Sequence, residues 1–209
     1  MELLQTIEKR ASVRKYLNDQ VPLTDLEEMV RRAGLSPSVN NSQPWKFIAI
    51  SNRSLLDQMA QAVEARLQEM MPDADSHAQS AIKTTVEYFS TFFRDAPAVI
   101  AVAMQPYEAI IDKLMNARSS GHEDINRLRS YPDIQSIGAA VQTLLLSAVD
   151  LGYGACWLSG MLVAQEKLQK LLQIADPWKL MAFVAVGKAA VMPQKRDKKA
   201  LQQIFVHIP

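Results

Sequence analysis

The sequence is poor in the features that mark several classes of protein. It has one cysteine, Cys156, in 209 residues, which excludes an intrachain disulfide framework and any cysteine-rich metal or iron–sulfur site. Its 23 basic and 22 acidic residues give a net charge of +1, so no overall field favours nucleic acid or an anionic membrane. Its apolar runs are interrupted well before the length that spans a bilayer. We therefore expect a protein that binds neither nucleic acid nor membrane.

Three common motifs are also missing. The chain has no G-x-G-x-x-G after a strand, no G-x-x-x-x-G-K-[ST] and no G-x-S-x-G, which argues against a Rossmann domain, a P-loop enzyme and an α/β-hydrolase. The first four residues lack the basic region and long apolar core of a signal peptide. Since 48% of the residues are apolar and 22% charged, we expect a globular protein of the reducing cytoplasm.

A polar segment at 36–45 separates a helical pattern that stops at Gly34 from an apolar, strand-like run at 45–50. Pro37 and Pro44 prevent a helix or a central strand from running through it. Six of its ten residues carry hydroxyls or amides, which suit turns because they bond nearby backbone groups. A surface loop and the wall of a ligand site are both compatible with this composition.

Basic residues gather at both ends of the chain. Arg10 and Arg14 would share one face of a continuing helix, and Ser12 would then point away. If all three contact one ligand, the helix must end near Arg10. Two guanidinium groups and a hydroxyl suit a phosphate, and a solvated basic patch is the alternative. The second cluster, at 195–199, has no interleaved aromatic residue, which disfavours a nucleic-acid patch.

Periodicity predicts the main elements. Helices are expected at 53–71, 77–93 and 166–172, and a capping box at 24–27 is expected to open another helix. The run at 98–104 is apolar on both faces and predicts a central strand, and a last strand is expected at 180–186. The helix predicted at 133–151 is apolar nearly all round. It therefore belongs in or near a subunit interface or in the core of a monomer.

The loop S-P-S-V-N-N-S-Q-P-W at 36–45 resembles the signature of the FMN-dependent nitroreductase family. Three other segments resemble the family in the same order: R-x-S-x-R at 10–14, G-Y-G-A-C-W at 152–157, and a basic tail with Arg196 and Lys198. The tail departs from the family pattern, since Lys188-Ala189 replaces Tyr-Pro. Asn40 stands where the family often has glycine, and asparagine tolerates the left-handed φ that glycine allows.

The resemblance implies a fold and an assembly. The expected fold is α+β (an α/β three-layer arrangement), with a central, mainly antiparallel sheet flanked by helices. The chain would form a single domain over 1–209 and an intertwined homodimer. A variable lid segment at about 105–131 would cover the substrate side of the flavin. A C-terminal tail, 188–209, would close on the flavin and on the partner subunit.

The resemblance also implies a function. FMN would be reduced by NADH or NADPH and would then reduce a nitroaromatic, a quinone or a similar small electron acceptor by a ping-pong mechanism, without a catalytic side chain or a metal. Other flavin chemistry, such as enone reduction or dehalogenation, a flavin-binding sensor, and a non-enzymatic interaction protein are the alternatives. The implied cofactor-binding residues are Arg10, Ser12, Arg14, Pro37, Ser38, Val39, Asn41, Trp157, Leu158, Ser159, Gly160, Arg196 and Lys198.

Overall fold

The computed structural model describes residues 2–71, 76–107, 122–194 and 197–209. The α-helices are α1 (Leu3–Lys9), α2 (Leu23–Ala33), α3 (Arg53–Met70), α4 (His77–Thr91), α5 (His122–Leu128), α6 (Pro132–Asp150) and α7 (Gln165–Leu171). The strands are β1 (Trp45–Ile50), β2 (Ala98–Met104), β3 (Gly154–Leu158) and β4 (Lys179–Gly187). Short 3₁₀ turns span Val39–Asn41, Phe92–Asp95, Gly160–Ala164 and Leu201–Gln203.

The four strands form one sheet in the order β1-β2-β4-β3. All three pairings are antiparallel, and Trp45 faces Met104, Ala98 faces Val186 and Gly154 faces Gly187. Every residue of β2 is buried, as expected for a central strand that is apolar on both faces. The expected α+β fold with a central antiparallel sheet is confirmed.

Helices cover both faces of this sheet. Successive β2 residues point to opposite faces: Val99 and Ala101 join a core with α3 and α7, whereas Ile100 and Val102 join a core with α2 and α6. Leu56 and Leu168 are buried on the first side, and Met29 and Leu144 on the second. The result is the three-layer arrangement that the sequence predicts.

The start of α2 differs from the prediction. The capping box places the N-cap at Thr24, but the helix begins at Leu23 and Pro22 is its N-cap. The Pro22 carbonyl accepts the amides of Asp25 and Leu26, at 3.1 and 3.2 Å. Thr24 therefore lies inside the first turn, and no side chain caps the helix.

The predicted lid segment is only partly described. Residues 122–128 form α5, although the run at 118–124 is polar; residues 118–121 lie outside the described residues. The helix suggested by the apolar residues near 110–114 lies outside the described residues. In the described ranges no helix has the length and apolarity needed to cross a membrane.

Helix α6 confirms the predicted helix at 133–151 but is not covered on every side. Ile137, Val141 and Leu144 pack under the sheet. In the first turn Ile134 is 43% exposed, and on the side away from these residues Leu146 is half-buried. Nearby on α1, Leu3, Leu4 and Ile7 are exposed. One chain therefore leaves an apolar surface along α1 and α6 uncovered.

Candidate functional site

The N-terminal basic segment leaves its helix and runs along the edge of the sheet. Helix α1 ends at Lys9, as the prediction of a shared ligand requires. Ser12 then forms a parallel bridge with Ala155 of β3, and the Val13 amide donates to the Ala155 carbonyl at 3.1 Å. Val13 is buried, and since side chains alternate along an extended segment, Ser12 and Arg14 share the other side.

Gly154 makes this edge contact possible. A Cβ at Gly154 would lie 2.6 Å from Cγ2 of Val13 and 2.8 Å from its Cβ. Carbon atoms in van der Waals contact lie about 3.5–4.0 Å apart, so a side chain at this position would push the N-terminal segment off β3. The glycine therefore fixes how closely the basic segment approaches the sheet.

The C-terminal end of the chain returns to the same segment. Tyr16 and Ala189 form an antiparallel bridge, and the Leu17 amide donates to the Lys188 carbonyl at 2.9 Å. The Tyr16 hydroxyl donates to the Val13 carbonyl at 2.6 Å, and burial raises its pKa above the ordinary value. Lys188, which replaces the family's tyrosine, holds its ammonium 4.9 Å from the Tyr153 ring centroid. The two basic ends of the chain therefore meet.

A cavity of about 550 Å³ lies where they meet. Its charged and hydroxyl groups come from Arg10, Ser12, Arg14, Lys198 and one acid, Glu8, which leaves a net charge of +2. Within the described part of the chain, no carboxylate forms a salt bridge with these three cations. The rest of the lining is Ile7, Ala11, Pro193 and Gln194.

Arg14 has two further neighbours. Its Nη1 donates to the Ser12 carbonyl at 3.3 Å. Its Cζ lies 5.2 Å from the centroid of the Phe89 ring, on α4. This distance is within the range of a cation–π contact. The guanidinium is therefore held beside the cavity by neutral groups.

The signature loop at 36–45 is tied to α6 by hydroxyl groups. Ser36 Oγ bonds Thr143 Oγ1 at 2.7 Å, and the Val39 amide donates to Ser136 Oγ at 3.1 Å. Asn40 has a φ of 51°, as its place in the family pattern predicts. The Gln43 amide donates to Ser38 Oγ at 3.0 Å. The loop has a fixed shape although three of its non-glycine residues adopt left-handed φ.

In the segment after Gly152 and Gly154, successive residues of β3 direct their backbone groups alternately towards β4 and towards the free edge. Because the Ala155 carbonyl points away from β4 towards Val13, the backbone of Trp157 faces the free edge of β3 as well. Its side chain is 45% exposed. The Leu158 side chain is buried in the core, and its backbone faces β4. Leu158 therefore has no side-chain role at the edge, whereas Ser159 is exposed.

The structure brings together some of the predicted site residues and not others. Arg10, Ser12, Arg14 and Lys198 line one cavity, and Arg196 lies outside the described residues. The remaining predicted residues do not line that cavity: Pro37, Ser38, Val39, Asn41, Trp157, Leu158, Ser159 and Gly160.

The prediction missed Glu8 and Phe89. Glu8 lies on α1 and carries no sequence signal for a ligand site. The helical spacing of Phe89 with Ile82 and Val86 indicates a packed core, yet all three are exposed.

Cys156 lies behind this segment, with its side chain in the core. It is 3% exposed, and burial raises the pKa of its thiol, although Arg14 and Ser12 oppose that rise. A thiol with a raised pKa is mostly protonated at neutral pH and reacts slowly. The described positions also contain no group of three or more His, Cys, Asp or Glu residues that could hold a metal ion.

Comparison with known proteins assigns the fold to a family. The sequence model of the nitroreductase family matches residues 7–188. A BluB-like flavoprotein from Clostridium difficile 630 is 30% identical, with complete coverage of both chains and a TM-score of 0.89. An iodotyrosine deiodinase structure that holds FMN and 3-iodo-L-tyrosine is 20% identical over 95% of each chain, with a TM-score of 0.69.

A relative found by sequence similarity supports the same family assignment. It is a provisionally named NADH dehydrogenase/NAD(P)H nitroreductase from Archaeoglobus fulgidus, 27% identical over 190 residues, which are 89% of this chain and 83% of the relative. The family match spans most of the chain, and the sheet and its flanking helices agree with it. The chain is therefore an oxidoreductase that belongs to the nitroreductase family.

Proposed function

We propose that the protein binds FMN and transfers electrons from NADH or NADPH to a small electron-poor acceptor, such as a nitroaromatic compound or a quinone. The observation that carries this proposal is the cavity of Arg10, Ser12, Arg14 and Lys198, whose three cations have no carboxylate partner in the described part of the chain. Guanidinium, ammonium and hydroxyl groups are the donors that a phosphate monoester requires. The residues present fit the cofactor.

The chain's own residues bind and orient. Arg10, Lys198 and, by its place in the family pattern, Arg196 hold the phosphate, and Ser12 adds a hydroxyl donor. Arg14 lies next to this group and provides positive charge for the pyrimidine edge of the flavin, which becomes anionic on reduction. FMN, when bound, supplies the redox chemistry itself. No nucleophile or acid–base residue is needed, and donor and acceptor use the same position in turn.

The proposed active unit is a homodimer. The exposed apolar residues of α1 and the uncovered side of α6 form one contact surface. Ile204, Phe205, Val206 and Ile208 leave a second apolar strip exposed on the tail. Among the described strands β1 pairs only with β2, so its outer edge is open to a tail from the partner. The signature loop, absent from the cavity of its own chain, would then serve the partner's flavin.

Absorbance of the purified protein tests cofactor binding. We expect a yellow protein whose flavin is bleached by NADH or NADPH without oxygen and re-oxidised by an electron-poor acceptor. A colourless protein that FMN cannot reconstitute would overturn the proposal. If the protein binds FMN but neither nucleotide bleaches it, the alternative of a flavin-binding sensor is favoured. A screen with nitroaromatic, quinone, enone and halophenol acceptors then identifies the acceptor class.

The phosphate assignment has its own test. Arg196→Ala with Lys198→Ala should lose FMN and keep the dimer, because the tail cations contact the phosphate and not the apolar surface. Lys199→Ala is the matched control, since Lys199 is exposed and does not line the cavity. Retention of FMN at unchanged affinity in the double variant would contradict the assignment. Light scattering gives the oligomeric state of each variant.

A further inference from the structure

Phe89 is the aromatic residue that contacts a cation of the site. The Cζ atom of Arg14 lies 5.2 Å from its ring centroid. Phe89 is on the exposed face of α4, with Val86 one turn and Ile82 two turns before it, and it is 45% exposed. Although much of its apolar surface is exposed, the ring lies beside a charged group that lines a cavity.

The other neighbours of Arg14 are neutral. Its Nη1 contacts the Ser12 carbonyl at 3.3 Å, which is a long hydrogen bond. In the described residues no carboxylate pairs with it. The phenyl ring is therefore one of the neutral groups that restrain the guanidinium, together with the Ser12 carbonyl and the Cys156 thiol.

A ring and a carboxylate restrain an arginine in different ways. A carboxylate would bind the guanidinium but cancel its charge. The face of a phenyl ring attracts the cation through its quadrupole and carries no net charge. The full positive charge of Arg14 stays available for an anionic ligand. A phenyl ring is therefore the suitable support for a cation that must meet a negative group.

We propose that Phe89 is a positioning residue for Arg14: its ring holds the guanidinium at the cavity with the charge intact, so that α4 contributes to cofactor affinity without touching the cofactor phosphate. This inference rests on the proposed function, because the anionic ligand is FMN. It assigns a role to a helix outside the four segments that carry the family resemblance.

Replacement of the ring tests this role. Phe89→Leu keeps an apolar side chain and removes the quadrupole, so we expect FMN to bind about two- to fivefold more weakly. The midpoint potential of bound FMN should fall by about 10–20 mV, because Arg14 favours the reduced, anionic cofactor. Phe89→Trp should restore both values, since indole is the better cation–π partner. Ile82→Leu is the control on the same face of α4. If it has the same effect as Phe89→Leu, the proposal is overturned.

A double-mutant cycle with Arg14→Gln shows whether Phe89 acts through Arg14. In the Arg14→Gln background, Phe89→Leu should change neither FMN affinity nor potential. An equal effect in both backgrounds would show that Phe89 acts independently, and no effect in the wild-type background would show that it does not act; either result overturns the proposal.

The wild type, the two single variants and the double variant also distinguish failure of the proposed function from failure of the positioning role of Phe89. If the wild type binds no FMN, the proposed function fails. The contact itself is still measured, because urea unfolding of the four proteins gives the Arg14–Phe89 coupling without cofactor. A cycle with zero coupling in unfolding and in binding contradicts the positioning role alone, while a flavin-binding wild type keeps the proposed function.

Discussion

Two sets of basic side chains in this protein have opposite surroundings. On α2, Arg31 and Arg32 share Glu28 at 2.6 and 2.7 Å, and Arg32 also reaches Asp150 of α6 at 2.6 Å. At the other site Arg10 and Arg14 line a cavity with Lys198 and Glu8, and among the described residues no salt bridge joins these cations to a carboxylate.

Neighbouring carboxylates determine whether each set of basic side chains stabilises the fold or is available to a ligand. On α2 they compensate the arginines and link two helices, so that the charges serve the fold. In the cavity three cations and one acid, Glu8, leave a net charge of +2 without a salt bridge among the described residues. A net positive charge of this kind favours an anion. Closeness of basic residues in the sequence therefore does not distinguish a structural arginine from a binding one.

The largest expected effect comes from removal of cavity cations. Arg10→Ala with Lys198→Ala should weaken FMN binding about hundredfold or more, since each charged hydrogen bond contributes roughly 1.5–3 kcal/mol. Riboflavin, which lacks the phosphate, should bind both proteins alike. Fluorescence quenching of the flavin measures both affinities.

The paired arginines supply the control for that double variant. Arg31→Ala with Lys199→Ala removes the same charge and should leave FMN affinity unchanged. Equal losses in both double variants would mean that net charge and not the cavity determines binding, and the comparison would fail.

A carboxylate placed in the cavity should convert it into a paired site. Ser12→Asp puts an acid beside Arg10 and Arg14, so we expect FMN affinity to fall at least about tenfold through repulsion of the phosphate. Ser12→Asn has the same shape without the charge and should lose less. The thermal midpoint of the Asp variant should match or exceed that of the Asn variant. Tighter binding by Ser12→Asp than by Ser12→Asn would contradict the phosphate assignment.

Removal of a paired arginine on α2 should lower the stability of the fold and leave FMN binding unchanged. Arg32→Met removes the ion pair with Glu28 inside α2 and the ion pair with Asp150 of α6, and we expect the free energy of unfolding to fall by roughly 1 kcal/mol. FMN affinity should stay within twofold of wild type. Arg66→Met is the comparison, because the pair Arg66–Glu69 lies within one helix and both side chains are at least half exposed. Urea titration should show the smaller loss for Arg66→Met.

The smallest effect is a pH dependence. Hydrogen bonds from Arg31 and then Arg32 hold the pKa of Glu28 at about 2, below its ordinary 4.5. A folded-state pKa that is lowered stabilises the protein above about pH 4.5, and this stabilisation is lost as the pH falls through 2. Thermal midpoints between pH 5 and pH 2 should therefore fall less steeply for Glu28→Gln. An unchanged slope would show that the carboxylate is not stabilised by its arginines.

Periodic elements were accessible from the sequence, and contacts between distant segments were not. The strands at 45–50 and 98–104 and the helix at 53–70 follow from apolar spacing, because burial of one or both faces determines their pattern. The start of α2 was misplaced because the Pro22 carbonyl accepts the first helical hydrogen bonds, two residues before the predicted N-cap at Thr24.

The candidate site could be predicted from the sequence only in part. Arg10, Ser12, Arg14 and Lys198 were predicted from the family resemblance, and the structure brings them to one cavity. The bridge from Tyr16 to Ala189 that joins them has no local signal, since the two residues come from opposite ends of the chain. Phe89 escaped prediction because an apolar residue at helical spacing looks the same in sequence whether it meets the core or a guanidinium.

The order of strands has a consequence for synthesis. Strand β4 comes last along the chain but lies between β2 and β3. While a ribosome is still translating residues before 179, β2 has an open apolar edge and β3 has no neighbouring strand, and such edges attract other chains. Products that stop early are therefore expected to aggregate or to need a chaperone. The tail that closes the cavity is translated later still, so capture of the cofactor would report that a chain is complete.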